Sequence, residues 1–126
     1  MKEIDLNKLK LKTFSEQDAL DYCQINNINP DKITELNLSK NQLTDISIIQ
    51  YLNKLEVLYI SGNQITNISV LKYLKNLKSL YIQKLRLESD QVQYINNLKN
   101  LKTLFCYNRF KDMSVINKLN NIKIII

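Results

Sequence analysis

The chain has no histidine, one glycine, one proline and two cysteines, and each shortage closes off a class of chemistry. Without histidine it lacks the commonest general base and the commonest transition-metal ligand. Cys23 and Cys106 stand far apart, with no CxxC spacing, so no metal site is expected, and no cofactor. A catalytic thiol needs a base beside it, and none is offered. The single glycine, Gly62, excludes a glycine-rich loop that cradles phosphate. An enzyme is not expected. No apolar run approaches the length of about eighteen residues needed to cross a bilayer. The amino-terminal MKEIDLNKLKLKTF is broken up by lysines and has no secretory apolar stretch. The expected compartment is the cytoplasm, unless a leader has been removed.

What is present is the ordinary material of one globular domain: 126 residues, 44% of them hydrophobic and 24% charged. The net charge of +6 comes mostly from lysine. It has two readings, a coding bias towards Lys, Asn and Ile, or a basic surface for an acidic partner. With no strong local cluster of lysines, the first is preferred.

The informative signal is a repeat. ITELNLSKNQLTDISIIQYLNK from Ile33, LEVLYISGNQITNISVLKYLKN from Leu55 and LKSLYIQKLRLESDQVQYINNLKN from Leu77 align, with Leu36, Leu58 and Leu80 spaced 22 residues apart. A fourth copy from Leu101 is one residue short, and a fifth begins at IKIII. In each LxL the two leucines alternate with an outward residue, the period of a short strand with one buried face. Asn41, Asn63 and Asn108 follow, side chains able to bond turn backbone where the chain leaves the strand inside a buried environment. The later IIxYL and VLKYL spacings put apolar residues on one face of a short helical or 3₁₀ turn. One repeat cannot bury that face alone, whereas stacked repeats form a continuous core.

Upstream, Leu6, Leu9, Leu11 and Phe14 carry the same spacing in degenerate form. SEQDALDYCQI predicts a helix over about 15–26, with Ser15 as N-cap, Asp18 closing a capping box, and Ala19, Leu20 and Cys23 facing inward. Residues 1–32 are therefore read as an atypical amino-terminal capping repeat. Residues 33–126 hold the regular repeats, divided as 33–54, 55–76, 77–100, 101–121 and a partial 122–126.

NQLTDIS at Asn41 to Ser47 and NQITNIS at Asn63 to Ser69 resemble the 22-residue class of leucine-rich repeats of internalin-type proteins and of phosphatase-regulating subunits. The resemblance covers about three quarters of the chain and is less faithful after Leu85. It implies an α/β solenoid with a short parallel sheet on its concave side and short helical or 3₁₀ segments on the convex side. It also implies binding of another protein through the concave sheet, without naming the partner.

The register assigns the outward residues of that sheet. The middle column is Lys10, Asn37, Tyr59, Tyr81, Phe105 and Ile126. Lys8, Glu35, Val57, Ser79 and Thr103 flank it on one side, and Lys12, Ser39, Ser61, Gln83 and Tyr107 on the other. Tyr59, Tyr81, Phe105 and Tyr107 form an aromatic stripe. It reads either as an interface anchor or as cross-strand packing, and the first is preferred because the core lies behind the sheet. Partner-binding candidates are thus Tyr59, Tyr81, Phe105, Tyr107, Asn37, Glu35 and Gln83. Tyr51 and Tyr73 are given only a structural role. Lys78, Lys102 and Lys123 share one repeat position and read as solvated lysines.

The third repeat breaks the pattern. Leu85 stands where asparagine belongs and the repeat runs 24 residues from Leu77 to Asn100. The expectation is a bulged loop over 85–91 with Arg86, Glu88 and Asp90 outward. The apolar finish, with Ile124 and Ile126, predicts pairing through the last strand as a homodimer or in a larger complex. The preferred function is a non-enzymatic protein-interaction module. The alternatives are a basic binder of nucleic acid or acidic surfaces, and a structural subunit held by its last strand. Nucleic acid is the weaker partner class, and no membrane span is expected.

Overall fold

The computed structural model describes residues 3–9, 11–106 and 122–125. The apolar alternation becomes six three-residue strands: β1 (Glu3–Asp5), β2 (Glu35–Asn37), β3 (Val57–Tyr59), β4 (Ser79–Tyr81), β5 (Thr103–Phe105) and β6 (Lys123–Ile125). They pair in parallel, in chain order, as one sheet. The outer residues of β2 to β5 are half-buried and the central one is buried. Leu36, Leu58, Leu80 and Leu104, together with Ile4, form one wall of the core. Leu38, Ile60, Ile82 and Cys106 form the next layer, all wholly buried. The fold is a leucine-rich-repeat solenoid.

The turns after β1 to β4 use the same backbone device. The fourth residue beyond the strand's buried centre is left-handed: Lys8 (φ 61°), Lys40 (φ 58°), Gly62 (φ 68°) and Lys84 (φ 61°). Only glycine adopts that conformation without cost. After Lys40 and Gly62 the next residue is an asparagine, and Asn41 and Asn63 are buried polar side chains within the core. Asn63 Nδ2 donates to the carbonyls of Ile60 and Leu38, both at 3.0 Å, and its Oδ1 accepts the Leu43 amide at 3.0 Å. Asn41 Nδ2 donates to Leu38 and Leu6, and its Oδ1 accepts the amides of both Leu9 and Leu11. Backbone groups that would be orphaned in the core are thereby satisfied by side chains. Asn108 lies outside the described residues.

On the convex side the described residues form 3₁₀ turns at Ser47–Tyr51, Ser69–Tyr73 and Ser89–Gln91 and a helix, α2 (Val92–Asn96). Asp45 and Asn67 precede the first two of these turns, each accepting the amide two residues on (Ser47 and Ser69) at 2.8 Å. The Ser47 amide and hydroxyl hold the Asp45 carboxyl below the usual carboxylate range.

The helix α1 (Glu16–Ile25) begins with the expected box: Asp18 amide to Ser15 Oγ, and Ser15 amide to Asp18 Oδ2 at 2.8 Å. Ala19 and Cys23, one helical turn apart, are buried. Leu20 is 44% exposed, a correction to its inward placement. It sits about 100° around the helix from Ala19, off the buried stripe.

Three registers also differ from the sequence reading. At the amino end, Ile4 pairs with Leu36 and Asp5 with Asn37, so the first strand is EID and Asp5 takes the place expected for Lys10, itself outside the described residues. Leu9 then falls on the asparagine position, where it is 56% exposed. At the carboxyl end, Phe105 pairs with Ile125 and Thr103 with Lys123. Ile125 therefore takes the middle-column place expected for Ile126, which lies outside the described residues, and Lys123 does not share a position with Lys102. Around Leu85 the bulge is absent. Lys84 makes the same left-handed step as Gly62, Leu85 and Leu87 are buried, and the Leu85 amide bonds the Ile82 carbonyl. The longer repeat is taken up on the convex side, where a 3₁₀ turn over Ser89–Gln91 runs straight into α2.

Candidate functional site

Parallel pairing in register sets like positions of successive repeats side by side, about 4.8 Å apart. Tyr59 pairs with Tyr81 and Tyr81 with Phe105, and at that spacing flat rings stack. The Tyr59 and Tyr81 rings are 4.2 Å apart between centroids and inclined by 21°; Tyr81 and Phe105 are 4.0 Å apart and inclined by 6°. All three are half-buried, because each covers its neighbour. The stack hides part of each ring and leaves an aromatic edge on the open face, so cross-strand packing and an exposed aromatic surface coexist. Tyr107, the fourth expected member, lies outside the described residues.

The flanks of the stripe are polar and ordered. Asn37 pairs with Tyr59, and its Oδ1 accepts the Ser39 amide at 3.0 Å. Glu35 accepts a hydrogen bond from the Tyr59 hydroxyl. Burial first, then that bond and the Glu35 charge, push the Tyr59 phenol far above the ordinary tyrosine range. Ser61 bonds Gln83 through its hydroxyl, and the Gln83 amide donates back to Ser61 Oγ at 3.0 Å. The structure therefore brings Glu35, Asn37, Tyr59, Tyr81, Gln83 and Phe105 onto one face. It sets the third-repeat candidates apart: Arg86 and Glu88 are exposed on the neighbouring loop, Asp90 is exposed in the 3₁₀ turn over Ser89–Gln91, and Leu85 is a core residue. Ile124, registered with Leu104, is partly buried against the core.

Two residues of this face escaped the sequence reading, Glu3 and Asp5. Their signal was the IDL of residues 4–6, which precedes LNL at 36–38 by more than one repeat length because α1 intervenes. Burial, then the charges of Glu35 and Asp5, raise the Glu3 carboxyl. Among the described residues no group of three or more Cys, Asp or Glu is arranged to hold a metal ion. Cys23 is buried, and that burial pushes its thiol up. No helix among the described residues is long and apolar enough to cross a membrane.

The family described as leucine-rich repeats in two copies matches residues 31–73 and again 53–97, more than half the chain together. The chain belongs to the leucine-rich repeat family. Among solved leucine-rich repeat structures, an internalin (inlF) of Listeria monocytogenes is 33% identical over 75% of this chain, with a TM-score of 0.67. Internalin C2 (inlC2) of the same organism is similar over all of this chain with a TM-score of 0.75; at 23% identity that likeness is one of fold. The chain spans 28% of the first structure and 51% of the second. No curated protein matches it.

Proposed function

We propose that this leucine-rich repeat chain is a non-enzymatic module that binds another protein through the concave sheet face, with Tyr59, Tyr81 and Phe105 as the anchor. The single observation behind this reading is the continuous ring stack on the open side of the sheet. Flat, preorganised aromatic surface is what hot spots are made of, since it buries large area while ordering few torsions. The carboxylates beside the stack weigh against the alternative in which the rings stack on nucleic-acid bases, because they repel phosphates.

The test is affinity capture from the native host with wild type and with a Tyr59→Ala, Tyr81→Ala double variant checked for retained secondary structure. Partners recovered by wild type and lost from the folded double variant are expected. The same partners recovered by both would remove the concave face from the account.

A further inference from the structure

We propose that the concave face takes an extended, basic segment of its protein partner, laid across the strands with lysine or arginine over β1 and β2 and apolar side chains over the ring stack. This deepens the concave-face reading and rests on it.

Two of the outward columns change character along the sheet. The middle column runs Asp5, Asn37, Tyr59, Tyr81, Phe105 and Ile125; the flanking one runs Glu3, Glu35, Val57, Ser79, Thr103 and Lys123. One end is acidic, the middle aromatic and the other end apolar with one cation. In a chain of net charge +6, three carboxylates on adjacent strands are a local reversal of sign. The ion pair of Lys78 with Glu56 lies off this patch. Besides burial, the charges of Glu35 and Asp5 bear on the Glu3 carboxyl, and an incoming cation offsets that like-charge part.

The geometry also fixes an order. Glu35 lies beside Tyr59, so a guanidinium placed there meets a carboxylate and a ring face together, a pairing that suits arginine. From β2 to Tyr81 is two strand spacings, roughly 10 Å, or about three residues of extended chain. The fitting segment thus carries its cation about three residues from an apolar or aromatic anchor. Lys123 at the far end disfavours the reversed orientation.

Two labelled, end-blocked peptides test this: one with two arginines three residues from a Leu-Tyr pair, the other with glutamates in place of the arginines. A single-stranded oligothymidine is the third probe. Binding is read by fluorescence anisotropy against wild type, Tyr81→Ala, the double variant Glu3→Gln, Glu35→Gln, and Glu16→Gln on α1. The basic peptide is expected to bind wild type at least about tenfold more tightly than the acidic one. It should lose about tenfold in the double glutamine variant and nothing in Glu16→Gln. Equal or tighter binding of the acidic peptide or the oligothymidine, no measurable binding of the basic peptide, or full binding by the double glutamine variant would overturn the proposal. If partners captured from the host are lost with Tyr81→Ala but kept by the double glutamine variant, the concave reading survives and the basic segment does not. If neither change affects them, both fall.

Discussion

The two faces of the solenoid carry aromatic residues in opposite ways. On the concave side Tyr59, Tyr81 and Phe105 are stacked and half-buried. On the convex side Tyr51 is 68% and Tyr73 47% exposed, and the partner of Tyr73 is a lysine, Lys72, with its ammonium 5.1 Å from the ring centre. Tyr51 borders a cavity of about 150 Å³ between α1 and the first 3₁₀ turn, with Phe14, Ala19 and Cys23 in its walls. By exposure alone the convex rings look like the binding residues. The difference teaches that order and exposure are separate properties of these rings. The concave rings are held in one geometry by their neighbours, whereas Tyr51 and Tyr73 come from separate turns and make no ring stack with each other among the described residues.

The largest effect that sharpens this contrast comes from the rim joining the two faces. Asn63→Leu leaves the Leu43 amide and the carbonyls of Ile60 and Leu38 without these bonds, and should cost about 4 kcal/mol in urea unfolding. The reverse change at the equivalent position, Leu85→Asn, should also destabilise, by about 2 kcal/mol. There the Ile82 carbonyl already accepts the Leu85 amide, and the Ile60 carbonyl already accepts Asn63. A stability gain from Leu85→Asn would show that the fourth turn is a damaged asparagine turn and not an apolar substitute for one.

Smaller, and aimed at the faces themselves, is a pair of alanine substitutions. Tyr81 shares two ring contacts, so Tyr81→Ala should lower stability by about 2 kcal/mol. Tyr51→Ala on the convex side should stay within about 0.5 kcal/mol. Equal losses at the two sites would mean that the concave stack contributes nothing beyond ordinary surface packing.

Much of this was legible in the sequence where the period was intact. Strands β2 to β5, the first two convex 3₁₀ turns and the roles of Asn41 and Asn63 follow from apolar alternation and a polar residue in a fixed place. Reading failed where spacing changed. Leu9 and Leu11 match the strand pattern as well as Ile4 and Leu6 do, and only the three-dimensional pairing with β2 chooses between them. Asn41 reaches the amides of Leu9 and Leu11, so the first turn carries no asparagine of its own to mark its register. Glu3 and Asp5 were missed for that reason. The bulge expected at Leu85 assumed that the asparagine dictates the turn, whereas the left-handed residue before it keeps the same path with leucine in the slot. The aromatic stripe was legible, but its rings were expected to be exposed, because lateral stacking between repeats depends on strand spacing and not on sequence pattern.

The most direct test of the concave-face account is hydroxyl-radical footprinting of the chain with and without its captured partner, read at individual aromatic residues. The account predicts protection at Tyr59, Tyr81 and Phe105, with Tyr51 and Tyr73 oxidised at unchanged rates. Protection of Tyr51 and Tyr73 with the concave rings unchanged would contradict it.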